Sequence, residues 1–192
     1  MKLYVARHGE TTWNVEKRIL GHTPGDLTPK GIQQAAVLAE QLISLNIHTC
    51  YASDLKRVVE TVEIVRNRIG SFQVNYTPTL RERNFGNLEG RFVSEVDWDG
   101  FWALPPTESC YGAESVYDFT ARIARYVVDL AETSEKTVLL LTHIGVMNRL
   151  HFLSSPSSSE FIAYSNAEAL PFDMEKLVEN SHAFLDGSLV LK

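Results

Sequence analysis

Four basic side chains stand at, or one helical turn beyond, the ends of apolar strand-forming stretches. They are Arg7, His8, Arg57 and His143. Two guanidinium groups suit a dianion such as phosphate, because each planar fork can bind two of its oxygens. A neutral imidazole between them is able to attack phosphorus, and a covalent histidine intermediate divides one displacement into two easier ones. Phosphoryl transfer through histidine is therefore the first hypothesis that these residues support.

The attacking imidazole needs one bare ring nitrogen, while its other nitrogen donates a proton to a fixed acceptor. A backbone carbonyl at the tight turn of Gly9 would serve, and a glycine there also makes room for an approaching ligand. The second histidine would donate a hydrogen bond to the equatorial phosphoryl oxygens, where charge collects in the transition state. The two histidines are thus expected to have different roles.

The leaving alkoxide needs a proton, which a carboxylic acid can give before it accepts one from water in the second step. The stretch "LRERNFGNLEG" offers two candidates, Glu82 and Glu89. Burial near phosphate charge would raise the pKa of the acid, as this role requires. Nothing in the composition of the stretch separates the two carboxylates.

Alternating strand and helix patterns must position these side chains. Period and capping signals predict strands at Leu3–Ala6, Thr49–Ala52, Phe72–Tyr76 and Val138–Leu141, and helices over 29–44, 55–69 and 116–132. A short helix is expected after Gly145, and two more strands over 166–192, separated near Asn180. The pattern predicts an α/β three-layer sandwich, with helices on both faces of a mostly parallel sheet of about six strands. Ligands of such folds bind at the carboxyl ends of the strands, where the four basic residues stand.

Length and composition exclude several classes of protein. The 192 residues suit a single domain over 1–192, and the net charge of -6 without a basic stripe argues against a nucleic-acid partner. Cys50 and Cys110 lie far apart without CxxC spacing, which argues against a zinc site and against a disulfide scaffold. The longest apolar run, 138–141, is far too short to span a membrane, and the start of the chain lacks a signal-peptide core. The default expectation is a cytoplasmic protein without a metal or cofactor.

A long irregular stretch follows the third predicted strand, and its part 91–114 is predicted to be a lid over the site. That loop holds one basic residue, Arg91, against five acidic ones, so it would not attract a second phosphate. Its aromatic residues would favour an apolar or ring-bearing leaving group. They are Trp98, Phe101, Trp102 and Tyr111.

Five motifs occur in order along most of the chain: "RHGETTWN", "LTPKG", "SDLKR", "LRERNFGNLEG" and "THIGV". Together they resemble the histidine phosphatase superfamily, the phosphoglycerate mutase-like group. The resemblance implies a mixed, mainly parallel sheet and metal-free transfer through phosphohistidine. It implies His8 as nucleophile, Glu82 as proton donor, and a phosphate pocket of Arg7, Arg57 and His143. It also implies further phosphate contacts from Asn14 and, with less weight, from Thr11 and the backbone near Gly145.

The family contains both phosphatases and mutases. The mutases carry a longer, more basic insert after the acid motif, whereas this chain is short there and its "FGNLEG" form resembles the phosphatase branch. We therefore expect a phosphomonoester hydrolase acting on a small phosphorylated metabolite. The alternatives are a bisphosphoglycerate-dependent phosphoglycerate mutase and, from another class, a non-catalytic phosphate- or phosphoprotein-binding module.

Two residues near the site allow a second interpretation, and one segment departs from the family pattern. Asn14 could cap the turn before a helix instead of binding phosphate. His22 is expected to be structural, although "GHTPGDLT" occupies the stretch where relatives carry a substrate-facing loop. The segment "NAEAL" at 166–170 departs from the small polar pair that phosphatase relatives show after asparagine, so the back of the pocket is expected to differ.

Overall fold

The computed structural model describes residues 1–70, 72–157 and 161–191, and within them it contains a five-stranded sheet. Its strands are β1 (Lys2–Arg7), β2 (Thr49–Ser53), β3 (Gln73–Thr77), β4 (Thr137–Thr142) and β5 (Ala169–Phe172). Their spatial order is β3-β2-β4-β1-β5. The first four strands run parallel, and β5 pairs antiparallel with β1. The predicted α/β class and the mostly parallel mixed sheet are confirmed.

Strand β4 is the centre of the sheet, between β1 and β2. All six of its residues, "TVLLLT", are buried, because helices cover both of its faces. The sequence of a strand that is covered on both faces is a continuous apolar run rather than an alternation of apolar and polar residues. Such a strand holds the chain that follows it in a fixed position.

Helices form the two outer layers. On one face α2 (Pro29–Ile43) and α3 (Lys56–Ile69) pack against apolar side chains of β2 and β4, and on the other α5 (Val116–Ala131), α6 (Ile144–Ser154) and α7 (Met174–Leu185) pack against β1 and β4. The remaining helices, α1 (Thr12–Glu16) and α4 (Trp98–Trp102), have a little over one turn each. No helix of the described ranges is long and apolar enough to cross a bilayer.

Capping residues explain where two of the long helices begin. Gly31 N–H donates to Thr28 Oγ1 at 3.0 Å, with Pro29 at the first helical position, and Asp118 N–H donates to Ser115 Oγ at 3.0 Å. Both starts agree with the sequence prediction. Helix α6 differs slightly, because it begins at Ile144 and includes Gly145 in its first turn.

The prediction of two strands over 166–192 is wrong in its second half. This segment contains one strand, β5, followed by helix α7, so the described sheet has five strands instead of about six. Asp173 caps α7 by accepting N–H bonds from its first turn, and the helix buries Met174, Leu177, Ser181 and Phe184. That spacing is helical, and it outweighs the strand propensity of the short apolar pairs. Lys192, the last residue of the predicted segment, lies outside the described residues.

The stretch between β3 and α5 consists of three single-turn 3₁₀ helices, at Pro78–Leu80, Gly86–Leu88 and Val93–Glu95, and of α4. Together with Ile19 it forms a small core, separate from the two that flank the sheet. The buried members of this core are Ile19, Leu88, Phe101 and Ala113. The stretch is therefore packed on itself as well as on the sheet edge.

Candidate active site

The carboxyl edge of the sheet brings the two histidines together. Arg7 ends β1 and is paired in register with Thr142, which ends β4. His8 N–H donates to Thr142 O at 3.0 Å, so the residues after the two strands remain adjacent. The rings of His8 and His143 lie 5.2 Å apart between centroids, edge to face, and both are buried. Neighbouring parallel strands thus place two residues distant in sequence in contact.

The hydrogen bonds of His8 fix its protonation. Nδ1 lies 2.7 Å from Gly9 O, which can only accept, so Nδ1 carries the proton. Nε2 lies 3.2 Å from Arg57 Nε–H, which can only donate, so Nε2 is bare. Burial, and then the charges of Arg57 and Arg7, lower the pKa of His8 well below its ordinary value. The predicted acceptor at the Gly9 turn is therefore present, and the ring is neutral with a free lone pair.

Two guanidinium groups border the imidazole and are held by backbone carbonyls. Arg57 donates from Nη2 to Gly21 O at 2.8 Å and from Nη1 to Thr23 O at 3.1 Å. Arg7 donates from Nη1 to Tyr164 O at 3.0 Å, while its buried Nε has no hydrogen-bond partner among the described residues. Burial lowers the pKa of Arg57 to about 10 and also lowers the pKa of Arg7, yet both remain cations at neutral pH.

His143 is held from one side and unpartnered on the other. Its Nε2 lies 2.8 Å from Ser53 Oγ, which also accepts Leu55 N–H at 3.3 Å. If the serine hydroxyl donates to Nε2, Nδ1 carries a proton, and that buried Nδ1 has no partner within the described part of the chain. Burial, and then the charge of Arg57, lower the pKa of His143 well below its usual value. Buried donors without partners are rare, so this Nδ1 is a candidate donor to a bound anion.

The two candidate acids have different surroundings. Glu82 is buried, and its two oxygens accept N–H bonds from Arg83 at 2.8 Å and from Gly145 at 3.0 Å. Glu89 accepts bonds from the backbone N–H groups of His22, Thr23 and Phe85 and from the hydroxyl of Thr23, at 2.6–3.1 Å. Four donors leave Glu89 saturated as an acceptor that joins two loops. Both carboxylates lie within electrostatic reach of Arg57, and Glu82 lies within reach of Arg7 as well.

Three predicted phosphate contacts have hydrogen bonds within the protein. Asn14 and Thr11 form a capping box at the start of α1: Asn14 N–H donates to Thr11 Oγ1, and Thr11 N–H to Asn14 Oδ1. This is the capping interpretation of Asn14. The N–H of Gly145 is taken by Glu82, and a Cβ at position 145 would overlap Glu82 Oε1. Phosphate binding by these three residues stays a prediction.

Several residues that position the site carry no motif of their own. His22 Nε2 donates to Glu82 O at 2.8 Å, and Arg122 Nη2 donates to the same oxygen at 2.9 Å. Asn166 Nδ2 donates to His8 O at 2.8 Å, from the "NAEAL" segment expected to differ. Only the position of His22 in a substrate-facing stretch gave a signal. The other contacts depend on tertiary structure.

The space beside Gly9, which has no Cβ, is filled by helix α2. The backbone after β1 passes over the first turn of α2, and a Cβ at Gly9 would lie 2.5 Å from Gly31 O. A Cβ at Gly31 would overlap Glu10 O. The close approach anticipated at Gly9 is therefore occupied by α2, and the paired glycines hold the end of β1 against that helix.

The aromatic residues of the loop 91–114 pack largely on one another. Trp98 lies edge to face with Phe101 at 5.5 Å and is stacked on Trp102 at 5.9 Å, measured between ring centroids. Phe101 is 4% exposed, whereas Trp102 is 55% exposed. The guanidinium of Arg83 lies over the Phe101 ring at 4.8 Å and the Trp102 ring at 5.1 Å. The cluster is thus connected to the residue that follows Glu82.

Comparisons with known proteins identify the family of the chain. The family model of the histidine phosphatase superfamily (branch 1) matches residues 3–161 of this chain. A relative named "Probable phosphoglycerate mutase GpmB", from Salmonella choleraesuis (strain SC-B67), is 40% identical over 152 residues, 76% of this chain and 70% of the relative. The Arabidopsis thaliana protein named "Phosphoglycerate mutase-like protein 4" is 31% identical over 166 residues, 82% of this chain and 72% of its own.

Solved structures agree in fold. The alpha-ribazole phosphatase from Shigella flexneri superposes with a TM-score of 0.80 at 26% identity, covering 90% of each chain. A mycobacterial glucosyl-3-phosphoglycerate phosphatase, solved with VO3, gives 0.74 at 26% identity over 88% of this chain and 91% of its own. The chain belongs to the histidine phosphatase superfamily, branch 1.

Proposed function

We propose that the protein is a metal-independent phosphomonoester hydrolase that acts on a small phosphorylated metabolite through a phosphohistidine at His8. The observation that carries the proposal is the bare Nε2 of a neutral, buried imidazole among cations. Two buried nitrogens have no partner among the described residues: Arg7 Nε and, in the tautomer whose Nε2 accepts from Ser53, His143 Nδ1. Both can donate to the phosphoryl oxygens. A tetrahedral dianion would satisfy them and accept from Arg57 as well.

In the first step His8 Nε2 forms a bond to phosphorus while the ester P–O bond breaks. The Arg57 Nε–H that Nε2 accepts in the free protein must first move to a phosphoryl oxygen. Glu82, protonated at this stage, gives its proton to the leaving oxygen, so an alcohol departs. The Nδ1–H bond to Gly9 O stabilises the positive charge that develops on the ring.

In the second step water attacks the phosphorus of phosphohistidine, and the P–N bond breaks. The Glu82 carboxylate takes a proton from that water, which restores the acid, and phosphate leaves. Arg7, Arg57 and His143 hold the phosphoryl oxygens in both steps. Asn14, Thr11 and the loop 91–114 border the site in this proposal, the loop as a lid. In the two steps every bond that forms is matched by one that breaks, and every proton has a donor and an acceptor, without a metal or a redox cofactor.

The test is a broad phosphomonoester screen of the wild-type protein and of His8→Ala, with and without a chelator. We expect hydrolysis that survives the chelator, and loss of turnover by at least about 1000-fold in His8→Ala, together with loss of an acid-labile phosphoryl label. His48→Ala is the matched control, because His48 is exposed before β2, at the opposite end of the sheet. Turnover that persists in His8→Ala contradicts the proposal.

A mutase remains the second candidate, since relatives at 40% identity carry that name. The loop 91–114 argues for hydrolysis, because Arg91 is its single basic residue and is exposed. Phosphate exchange between the two positions of phosphoglycerate, dependent on a bisphosphate primer, would establish the mutase. Phosphate binding without turnover of any monoester would favour the binding module. We keep the cytoplasm as the proposed location, since the free thiols of Cys50 and Cys110 suit a reducing compartment.

A further inference from the structure

The peptide group that joins Gly9 to Glu10 has hydrogen bonds at both of its ends. Its carbonyl, Gly9 O, accepts from His8 Nδ1 at 2.7 Å. Its N–H, at Glu10, donates to Gln34 Oε1 at 2.8 Å. Among the described residues neither group has another hydrogen-bond partner. The carbonyl that fixes the protonation of His8 therefore belongs to a peptide that one side chain of α2 holds.

Helix α2 places Gln34 beside this peptide. Thr28 N–H donates to Glu10 O at 2.9 Å, and a Cβ at Gly31 would overlap that same oxygen. Gln34 lies three residues after Gly31, on the same face of the helix. The motif "LTPKG" contributes no residue to the proposed phosphate pocket, and in the structure it packs the first turn of α2 against the chain that leaves β1. This packing leaves Gln34 half-buried with its amide oxygen at Glu10 N–H.

The peptide needs such a hold because a glycine precedes it. Rotation about the backbone of Gly9 meets little steric resistance, so the peptide between residues 9 and 10 is able to flip. A flip would turn the carbonyl away from His8 and bring Glu10 N–H towards the imidazole. Nδ1 would then have to accept, and the ring proton would move to Nε2. In that tautomer the nitrogen proposed to attack phosphorus has no free lone pair.

Arg57 keeps Nε2 bare only until the substrate binds. Its Nε–H donates to His8 Nε2 at 3.2 Å in the free protein, and in the proposed mechanism it moves to a phosphoryl oxygen. A bound dianion accepts hydrogen bonds strongly, so it favours a proton on Nε2 and opposes the attacking tautomer. From that point the Gly9 carbonyl alone keeps the proton on Nδ1.

We infer that Gln34 is a positioning residue for the proposed nucleophile: it holds Glu10 N–H, and so keeps His8 in the tautomer with a bare Nε2. The inference rests on the proposed function, because the tautomer matters to the reaction only if Nε2 attacks phosphorus. A peptide whose N–H donates is also a better acceptor at its carbonyl, so Gln34 supports the positive charge that develops on the ring. The sequence carries no signal for this role, since a glutamine on an amphipathic helix has the pattern of a surface residue.

Three substitutions on α2 test the effect on rate. Gln34→Met removes the acceptor and keeps the size of the side chain and a good helix former. We expect the rate of phosphohistidine formation from p-nitrophenyl phosphate, in single-turnover experiments, to fall about tenfold to a hundredfold. The affinity for methylphosphonate should stay within about twofold, because no group of the phosphate pocket has changed. Gln34→Glu, which keeps an acceptor, should retain the wild-type rate within about threefold. Gln33→Met is the matched control, because Gln33 is exposed on the same helix.

The tautomer itself is measured by ¹⁵N NMR of the histidine rings, in which bare and protonated nitrogens have well-separated shifts, with His8→Gln to assign the signals. With methylphosphonate bound, the wild-type protein and Gln33→Met should carry the His8 proton on Nδ1. Gln34→Met should carry it mainly on Nε2, and a tenfold loss of rate corresponds to about nine-tenths of the protein in that tautomer. Without methylphosphonate all variants should show a bare Nε2, since Arg57 then donates to it.

The results separate this inference from a merely structural role and from the proposed function. A slower Gln34→Met whose bound form keeps the proton on Nδ1 overturns the inference, as does an equal loss of rate in Gln34→Glu. Should Gln34→Met fail to fold, Gln34→Ala gives the same comparison. A protein that hydrolyses no ester, but whose Gln34→Met variant still carries the proton on Nε2, would contradict the proposed function and leave the control of the tautomer established.

Discussion

The phosphate pocket and the loop 91–114 are built in different ways. The pocket stands on the ends of β1, β2 and β4, and backbone carbonyls or neighbouring side chains hold each of its basic groups. The loop consists of short helical turns around a small aromatic core. We therefore expect the pocket to be as rigid as the sheet, and the loop to open locally without disturbing the strands.

Under the proposed function, chemistry and selectivity belong to separate regions. Attack on phosphorus would use groups that the sheet register places, and the two cores that flank the sheet set this register. The choice of alcohol would fall to the segment that carries Glu82 and to the aromatic cluster beside it, which meet at Arg83. Substitutions in the first region should change rate, and those in the second should change stability and preference.

The largest difference between variants is expected for the two candidate acids, Glu82 and Glu89, in the rate of hydrolysis. Glu82→Gln should lower kcat about 100-fold to 10,000-fold for esters with poor leaving groups, because proton donation is lost. The loss should be much smaller for p-nitrophenyl phosphate, whose leaving group needs no proton. Steady-state kinetics on the two kinds of ester measures this split.

Glu89→Gln is the matched variant for that experiment. It should reduce stability through the loss of charged hydrogen bonds between two loops, and any loss of rate should be the same for good and poor leaving groups. A dependence on leaving group in Glu89→Gln, and none in Glu82→Gln, would move the acid role to Glu89.

A smaller effect is expected in the loop core. Phe101→Ala should lower the free energy of local opening by about 3 kcal/mol, because it empties a buried aromatic site. Hydrogen exchange should accelerate over residues 85–113 and stay slow in β1 and β4. Trp102→Ala, on the same helix but half exposed, should leave exchange nearly unchanged. Faster exchange in β4 of Phe101→Ala would show that the two regions are one cooperative unit.

The smallest effect concerns the pocket histidines and pH. His8 and His143 are buried and neutral, with pKa values well below 6.5, so the unfolded chain binds their protons first as pH falls. The stability they allow is present above about pH 6.5 and declines below it, by on the order of 1 kcal/mol for each histidine between pH 7.5 and 5.5. Urea unfolding at the two pH values should show a decline smaller by about that amount in His8→Gln. An unchanged decline would mean that His8 is protonated in the folded protein.

The sequence predicts best what local pattern determines. Four strands and three long helices follow from apolar period and capping residues such as Thr28 and Ser115. Composition does not separate Glu82 from Glu89, and only the family resemblance favours Glu82. Their different surroundings have no local signal, because donors such as Gly145 and Thr23 come from distant segments. Helix α7 was missed, since its apolar residues are sparse and resemble two short strand pairs.

The contact between Gly9 and Gly31 has a consequence for how sequence variants of this protein would be interpreted. Any side chain at position 31 would collide with the main chain that leads away from His8. Position 31 would then tolerate as little variation in a mutational scan as His8, the proposed nucleophile, although it lies on a helix outside the proposed phosphate pocket. Soluble yield distinguishes the two cases: an inactive His8 variant should still accumulate as folded protein, whereas a Gly31 variant should disappear from the soluble fraction.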